Sequence, residues 1–265
     1  MAYAALQLQP SHAVSVRHQG IPCMGRKSRL KKERRELKQH GLADGSSKTL
    51  VLLDEHKESI YRFFSEKWQA DDLTRGGVWL STLGTCRTYE DPEQGDPQEA
   101  HETYNSGHAT GGSNDPTFVE RAKKCGIHIG PGCSNITISN NTSSTSLPDA
   151  YVLCTTTEFS PEKISDTFGK YCVEITNPRE FFVTVSENLE SQAAIKEAAA
   201  GKIIYKDRSY SGMESPPGPI GFVKPPDLSA SQKEFRFLWL PEKSKEITPF
   251  LLKCPKISHL CKRIA

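Results

Sequence analysis

Residues 231–240 read SQKEFRFLWL, and this stretch decides how the C-terminal half of the chain is arranged. Aromatic side chains occupy every second position from Phe235 to Trp239. That period of two predicts a half-buried β-strand whose aromatic face enters a core. The polar residues on the opposite face are Gln232, Glu234 and Arg236. A face of this kind is usually solvated, with Glu234 simply paired to Arg236, because charged side chains seldom lie buried.

Composition describes an ordinary globular chain of 265 residues, with 36% hydrophobic residues and a net charge of +2. The length suffices for a sizeable core, and no apolar run is long enough to predict a membrane span. The first twenty residues lack the pattern of a secretory signal, so we expect a cytoplasmic protein. In that reducing compartment its eight cysteines are expected to be free thiols, and their spacing predicts no metal site.

Positive charge is concentrated near the N-terminus, where the first 40 residues hold nine Lys or Arg against two Glu. Residues 1–45 are therefore predicted to be a disordered basic arm. If translation starts at Met24 rather than at Met1, the arm keeps most of its positive charge. The segment Arg26–Lys38 could contact nucleic acid by neutralising phosphates. It could equally be a solubilising tail.

The rest of the chain, residues 46–265, is predicted to form one domain. A strand or a helix is expected through IYRFF at 60–64, and a strand through GVWLSTL at 77–83. Residues 104–148 are predicted to be a long polar loop that ends in a linker. Its ordered parts would be a helix with Asp115 as N-cap, and a strand at 126–130.

Order returns at Asp149 with the strand-like runs DAYVLCTTT and KYCVEIT, separated by a short helix after Ser160. Asn177 and the proline that follows it predict the start of a helix. Ala-rich sequence is expected to extend that helix to Gly201, before a strand at KIIYK. This order predicts the α+β class, with mixed or antiparallel sheets and flanking helices.

Three short pieces of the chain occur in an order that resembles the ADP-ribosyltransferases. These are Arg62 in IYRFF, Ser81 and Thr82 in VWLSTL, and the Q-x-E of QKEF formed by Gln232 and Glu234. The string YRFFS…LTRGGVWLSTLGTCRTYEDPEQGDPQEA, followed by YVLCTTTEFSPEKISDTFGKYCVEI and KEFRFLW, is similar to bacterial proteins of the abortive-infection type that are thought to adopt this fold. The resemblance covers roughly residues 55–100 and 150–240.

The resemblance implies that NAD is the substrate and gives each residue a role. Glu234 would hydrogen-bond the nicotinamide ribose and stabilise the ribosyl cation that develops, and Gln232 would orient the acceptor. Arg62 would hold the pyrophosphate, and Tyr61 or Phe63 would stack on the nicotinamide. The hydroxyls of Ser81 and Thr82 would brace the pocket, although Leu83 interrupts the family's Ser-Thr-Ser pattern. Arginine-directed members often carry Glu at the place of Gln232, so the acceptor stays open between protein and nucleic acid.

Three functions follow as hypotheses. The first is an NAD-dependent ADP-ribosyltransferase that acts as a toxin or phage-defence factor. The second is a catalytically inactive member of the fold that serves as a binding module, and the third is a nucleic-acid-binding protein that acts through the basic arm. The polar residues between the second strand and the long loop are interpreted as solvated turns. They are Arg87, Glu90, Asp91, Asp96 and Glu99.

Overall fold

The aromatic strand runs from Glu234 to Pro241 in the computed structural model, which describes residues 49–89, 95–162, 168–242 and 246–265. The basic arm, with Met24 and Arg26–Lys38, lies outside the described residues, as do Glu90 and Asp91. Most of the short helix expected after Ser160 also lies outside them. Residues 49–265 form one compact unit.

The elements confirm the α+β class. In chain order the strands are β1 (Thr49–Leu52), β2 (Ile60–Phe64), β3 (Gly77–Thr82), β4 (His101–Asn105), β5 (His108–Gly111), β6 (Ile136–Ser139), β7 (Thr142–Ser146), β8 (Tyr151–Thr156), β9 (Tyr171–Ile175), β10 (Ile195–Lys202), β11 (Ile204–Tyr205), β12 (Ser209–Ser211), β13 (Val223–Lys224), β14 (Glu234–Pro241), β15 (Phe250–Lys253) and β16 (Cys261–Arg263). The α-helices are α1 (Lys67–Thr74), α2 (Leu83–Thr88), α3 (Pro116–Lys124), α4 (Pro178–Glu190) and α5 (Pro226–Ser229), and 3-10 helices span Ala230–Gln232 and Pro255–Leu260.

The main sheet has the strand order β1-β10-β14-β8-β2-β9-β16. All neighbours in it are antiparallel except β1 and β10. Three smaller sheets pair β12-β4-β7, β5-β6 and β11-β13. The sheets are therefore mixed, as the order of elements predicts.

The main sheet divides at β8, and this division positions the site. One edge of β8 pairs along β14, whereas the other edge is shared by two strands. Tyr151 and Val152 at its beginning pair with β3, and Thr156 at its end pairs with β2. Residues 153–155 have no strand partner on that edge within the described part of the chain. A cleft therefore opens between β2 and β3.

The aromatic face of β14 packs on α4, as the period of two predicts. The rings of Phe181 and Phe182 lie 5.4 and 5.9 Å from that of Phe237. The Trp239 indole donates a 2.8 Å hydrogen bond to the Ser186 hydroxyl. Asn177 caps α4 by accepting from the backbone N–H of Glu180, so the predicted start of the helix is confirmed.

The opposite face of β14 is buried as well, which corrects the expectation of a half-buried strand. Glu234 is 3% exposed and Arg236 is 1% exposed. Both contact charged side chains outside the main sheet, since Glu99 pairs with Arg236 and Lys224 pairs with Glu234. The segment around Glu99 is therefore part of the core rather than a solvated turn.

Two further expectations are wrong in detail. The Ala-rich segment is not a continuation of α4, which ends at Glu190, but forms β10 between β1 and β14. Residues 104–148 are not one long loop, because they contain β5, β6, β7 and α3. The helix capped by Asp115 is confirmed there. The strand expected at 126–130 does not form.

Candidate functional site

The cleft between β2 and β3 holds a cavity of about 430 Å³, a volume typical of small-molecule sites. Its floor comes from β8 and its sides come from β2, β3, α2 and the start of β14. The lining residues are Tyr61–Ser65, Gln69, Trp79, Ser81, Cys86, Tyr89, Val152, Cys154–Thr156, Phe168, Lys224, Gln232 and Glu234. Six of the seven residues to which the resemblance gives a role thus meet around one space.

Arg62 reaches into the gap that the divided sheet leaves on β8. Its Nη1 donates a 2.5 Å hydrogen bond to the Cys154 carbonyl oxygen, and its guanidinium carbon lies 5.3 Å from the centre of the Phe64 ring. The side chain therefore satisfies a backbone carbonyl in the gap between β2 and β3. This contact uses one of its five N–H donors.

The two hydroxyl residues of β3 have different surroundings. Ser81 lines the cavity, whereas Thr82 does not, and this corrects the expectation that both face the pocket. Alternation along a strand sends neighbouring side chains to opposite faces. The Thr82 hydroxyl instead accepts a 3.1 Å hydrogen bond from the Thr85 N–H and caps α2.

Gln232 and Glu234 both line the cavity, but they do not lie on the same strand. Gln232 ends a 3-10 helix and β14 begins at Glu234. Lys233 between them has a φ of +46°, in the left-handed region. The expectation that a shared strand face brings them together is therefore wrong, because the turn at Lys233 sets their relation.

Two cations hold the Glu234 carboxylate. Arg236 Nε donates to Oε1 at 2.8 Å, and Lys224 Nζ lies 2.7 Å from Oε2. The Glu234 backbone N–H donates to the Tyr205 hydroxyl at 2.9 Å. The carboxylate is 3% exposed and is held by a hydrogen bond at Oε1, whereas Oε2 has the ion contact with Lys224 and no hydrogen bond within the described residues.

These pairs belong to a larger buried ionic network. Arg236 also donates from Nη1 and Nη2 to the two carboxylate oxygens of Glu99, at 2.8 and 3.2 Å, and from Nη1 to the Gly221 carbonyl at 2.7 Å. Arg208 donates to Asp96 and lies 3.8 Å from Glu99. Three cations and three carboxylates are thus joined, and their charges balance.

The charge of this network determines the ionisation of Glu234. Burial alone would raise the pKa of the carboxyl group, but Arg236 and Lys224 outweigh that effect and hold the pKa well below its ordinary value. Burial would likewise lower the pKa of Lys224, but Glu234 and Glu99 raise it above the ordinary range. Both groups are therefore charged at neutral pH.

The cavity also exposes two thiols, Cys86 and Cys154, which sequence reasoning did not assign to the site. Burial raises the pKa of both thiols, so at neutral pH neither is poised as a thiolate nucleophile. The carboxylate of Glu234 is a better candidate for chemistry.

Glu99 and Lys224 are the other participants that sequence reasoning missed. The sequence predicts a solvated turn for Glu99 and gives Lys224 no role. Lys224 follows Phe222 and Val223 directly, and an apolar run of this kind beside a single lysine is a signal of burial. Glu99 carries no comparable signal.

Membrane spans, metal sites and disulfides were sought among the described residues. No helix there is long and apolar enough to cross a membrane, and no group of three or more His, Cys, Asp or Glu side chains is arranged to hold a metal ion. The seven described cysteines are free thiols. Comparison of the chain with protein-family models, curated proteins and solved structures found no match.

Proposed function

We propose that the cavity between β2 and β3 binds NAD and that the chain is an ADP-ribosyltransferase. The observation that carries the proposal is the convergence of Tyr61, Arg62, Ser81, Gln232 and Glu234 on one cavity of about 430 Å³. Residues 61 and 234 are far apart in sequence, and a purely structural role for each would not require a common space.

The chemistry requires a carboxylate beside the ribose. When the bond between nicotinamide and ribose breaks, its electron pair leaves with the nicotinamide nitrogen and positive charge develops on the sugar. Glu234 is ionised and fixed by Lys224 and Arg236, so it meets that charge without reorganising. An acceptor nucleophile then bonds to the ribose carbon and loses its proton.

The other lining residues fit the remaining parts of NAD. Lys224, and the N–H donors of Arg62 beyond the one bound to Cys154, would attract the pyrophosphate. The rings of Tyr61 and Phe63 could stack on the nicotinamide, and Ser81 offers a hydroxyl. Gln232 would orient the acceptor, which is a protein or a nucleic acid.

The cellular role that goes with this activity is that of a toxin or phage-defence factor in the cytoplasm. The basic segment Arg26–Lys38 would then bring the enzyme to nucleic acid or a ribonucleoprotein. Deletion of residues 1–40 should weaken that association and leave NAD turnover intact.

A second candidate function is a binding module without catalysis. One observation favours it, because the balanced network occupies Glu234 with two cations, as a purely structural carboxylate would be occupied. A ligand could then bind in the cavity and remain unchanged.

The test compares two carboxylates of the same network. Glu234→Gln and Glu99→Gln each remove one buried charge that pairs with both Arg236 and Lys224, but only Glu234 lines the cavity. NAD binding to the purified proteins and nicotinamide release from NAD are both measured for the wild type and the two variants, with cell lysate added to the release assay to supply an acceptor. Folding is checked by far-ultraviolet circular dichroism.

Transferase activity predicts release by the wild type and by Glu99→Gln, with loss in a folded Glu234→Gln. Undiminished release from Glu234→Gln would refute the assignment of that carboxylate. NAD binding without release from any form would support the binding module. If no form binds NAD, the cavity neither cleaves NAD nor serves as a binding module for it.

A further inference from the structure

A second, smaller cavity of about 190 Å³ lies beside the first one, between α1, β3 and β15. Most of its wall is apolar. The lining residues are Arg62, Phe64, Trp68, Gln69, Asp72, Leu73, Gly77, Val78, Trp79, Leu153 and Leu251. Sequence reasoning gives this cavity no role, and the ADP-ribosyltransferase proposal does not use it.

Two tryptophans at the cavity are unusually exposed for their size. Trp68 on α1 is 61% exposed and Trp79 on β3 is 52% exposed, and Leu251 beside them is 38% exposed. Large apolar side chains that cluster around a concavity mark binding sites more often than isolated exposed ones do. The third tryptophan of the chain, Trp239, is fully buried.

The polar side chains Arg62, Gln69 and Asp72 of the small cavity each have at least one partner, and Arg62 keeps further N–H donors. The Asp72 carboxylate accepts from Arg75 at 2.5 Å, and Gln69 Oε1 accepts from the backbone N–H of Glu66 at 3.3 Å. Arg62 Nη1 donates to the Cys154 carbonyl. Recognition in this cavity therefore has to come mainly from apolar and aromatic contact.

The two cavities share part of their walls. Arg62, Phe64, Gln69 and Trp79 line both. At about 190 Å³ the smaller space is below the range of roughly 300–1,000 Å³ that complete small-molecule sites occupy. It is large enough for one ring system of a ligand whose remainder lies in the larger cavity.

We propose that the smaller cavity is a subsite for a planar aromatic group. Indole rings stack in offset or edge-on arrangements with other aromatic rings, and the Arg62 guanidinium at the shared wall adds a cation that favours an aromatic face. The ligand is therefore a small molecule with an aromatic group at one end and polar groups at the other. This inference stands whether or not the ligand is NAD and whether or not it is cleaved.

Tryptophan fluorescence tests the proposal on the full chain. Acrylamide quenches exposed indoles, so quenching in the free protein reports Trp68 and Trp79, while Trp239 is shielded. The probes are benzyl alcohol and cyclohexylmethanol, which match in size but differ in aromaticity. At the millimolar concentrations appropriate to such small ligands, we expect benzyl alcohol to lower the quenching constant toward the level of a buried tryptophan. Cyclohexylmethanol should protect less.

Two leucine variants that keep all three tryptophans provide the control. Leu251→Gln makes the wall of the small cavity polar and should weaken protection by benzyl alcohol several-fold. Leu50→Gln changes a comparably exposed leucine on β1, which does not line this cavity, and should leave protection unchanged.

Three results would overturn the proposal. Equal protection by the two probes would mean that the cavity does not prefer an aromatic ring. Equal loss of protection in both leucine variants would mean that the probe does not bind there. Protection that increases with protein concentration in the absence of a probe would mean that a second copy of the chain covers the tryptophans.

Discussion

Arg236 joins two carboxylates and a backbone carbonyl inside the protein. It donates to Glu234, to both oxygens of Glu99 and to the Gly221 carbonyl, and it is 1% exposed. Its removal takes a guanidinium charge and its hydrogen bonds away from two buried carboxylates, which leaves Glu99 with the bond from the Ala100 backbone N–H and Glu234 with the ion contact to Lys224. We infer that this side chain connects the main sheet to the segments that cover it.

Replacement of Arg236 by Met should therefore destabilise the protein severely. Removal of one partner from a buried ion pair costs about 3–5 kcal/mol. The measurement is the free energy of unfolding in urea. Arg75→Met is the control, because Arg75 pairs with Asp72 at the surface and such pairs contribute about 0–1 kcal/mol. Similar losses in the two variants would contradict the importance of burial.

At the level of single residues, the sequence predicts the members of the site better than their surroundings. Arg62, Ser81 and Glu234 were chosen because the order of their short motifs resembles the ADP-ribosyltransferases, and all three line one cavity. The ionic contacts around Glu234 could not be predicted. Its partner Arg236 is met by Glu99 and Gly221, which come from parts of the chain that have no regular pattern. The same limit explains why the polar face of β14 was expected to be solvated.

Strand β10 shows how tertiary packing overrides helix propensity. Its Ala-rich sequence favours a helix, and alanine is the strongest helix former. In the sheet, however, Ala198 lies opposite Trp239 and Ala200 lies opposite Phe237 on β14. Small side chains on β10 thus leave room for the large rings on its neighbour. This cross-strand fit depends on a partner about 40 residues later, so no local window contains it.

Ala200→Val tests this fit. Valine favours strands, yet at a fully buried position opposite Phe237 its two extra methyl groups should overpack the core and cost about 1–3 kcal/mol. Lys196→Val, at an exposed position of the same strand, should change stability by no more than about 0.5 kcal/mol. Urea unfolding of both variants is the measurement. A more stable Ala200→Val would mean that the space around Ala200 is not filled.

Elements with a strong local signal were predicted well, and short strands were not. The caps of α3 and α4 could be identified because Asp or Asn followed by Pro fixes the start of a helix. Strands β5, β6 and β7 contain only four or five residues each, many of them Ser, Thr or Gly. Their pairing with partners in other segments supplies a regularity that their own composition lacks.

At the scale of the molecule, the ionic network should make stability depend on pH in acid. The pKa values of Glu234 and Asp96 are lowered by their cationic partners, despite burial. A carboxyl group whose pKa is lowered in the folded state stabilises the protein at pH values above its pKa in the unfolded state. That stabilisation is lost as the pH falls toward the pKa of the folded state. Stability should therefore decline from about pH 5 downward.

The measurement is the free energy of unfolding in urea between about pH 7 and pH 3 for the wild type and Glu234→Gln. The variant should start lower and decline less steeply, because one of the two carboxylates no longer takes up a proton. Parallel curves for the two proteins would mean that Glu234 is not stabilised as a carboxylate by its partners.

The class of the fold followed from the order of strands and helices, but the division of the sheet did not. Strand β8 shares one edge between β2 and β3, and each contact joins residues at least 69 positions apart in sequence. The cavity exists because of that division. Its position therefore depends on pairings that sequence patterns do not encode locally.

The long reach of Arg236 has a consequence for how the protein is made. Glu99 meets its guanidinium partner 137 residues further along the chain. On the ribosome, Glu99, Arg62 and Ser81 emerge well before Glu234 and Arg236, so the walls of the cavity exist for some time without the strand that completes it. Because contacts between distant residues form late, the cavity is completed only after β14 has been made. A nascent chain that stops before Glu234 thus lacks the buried carboxylate of the cavity.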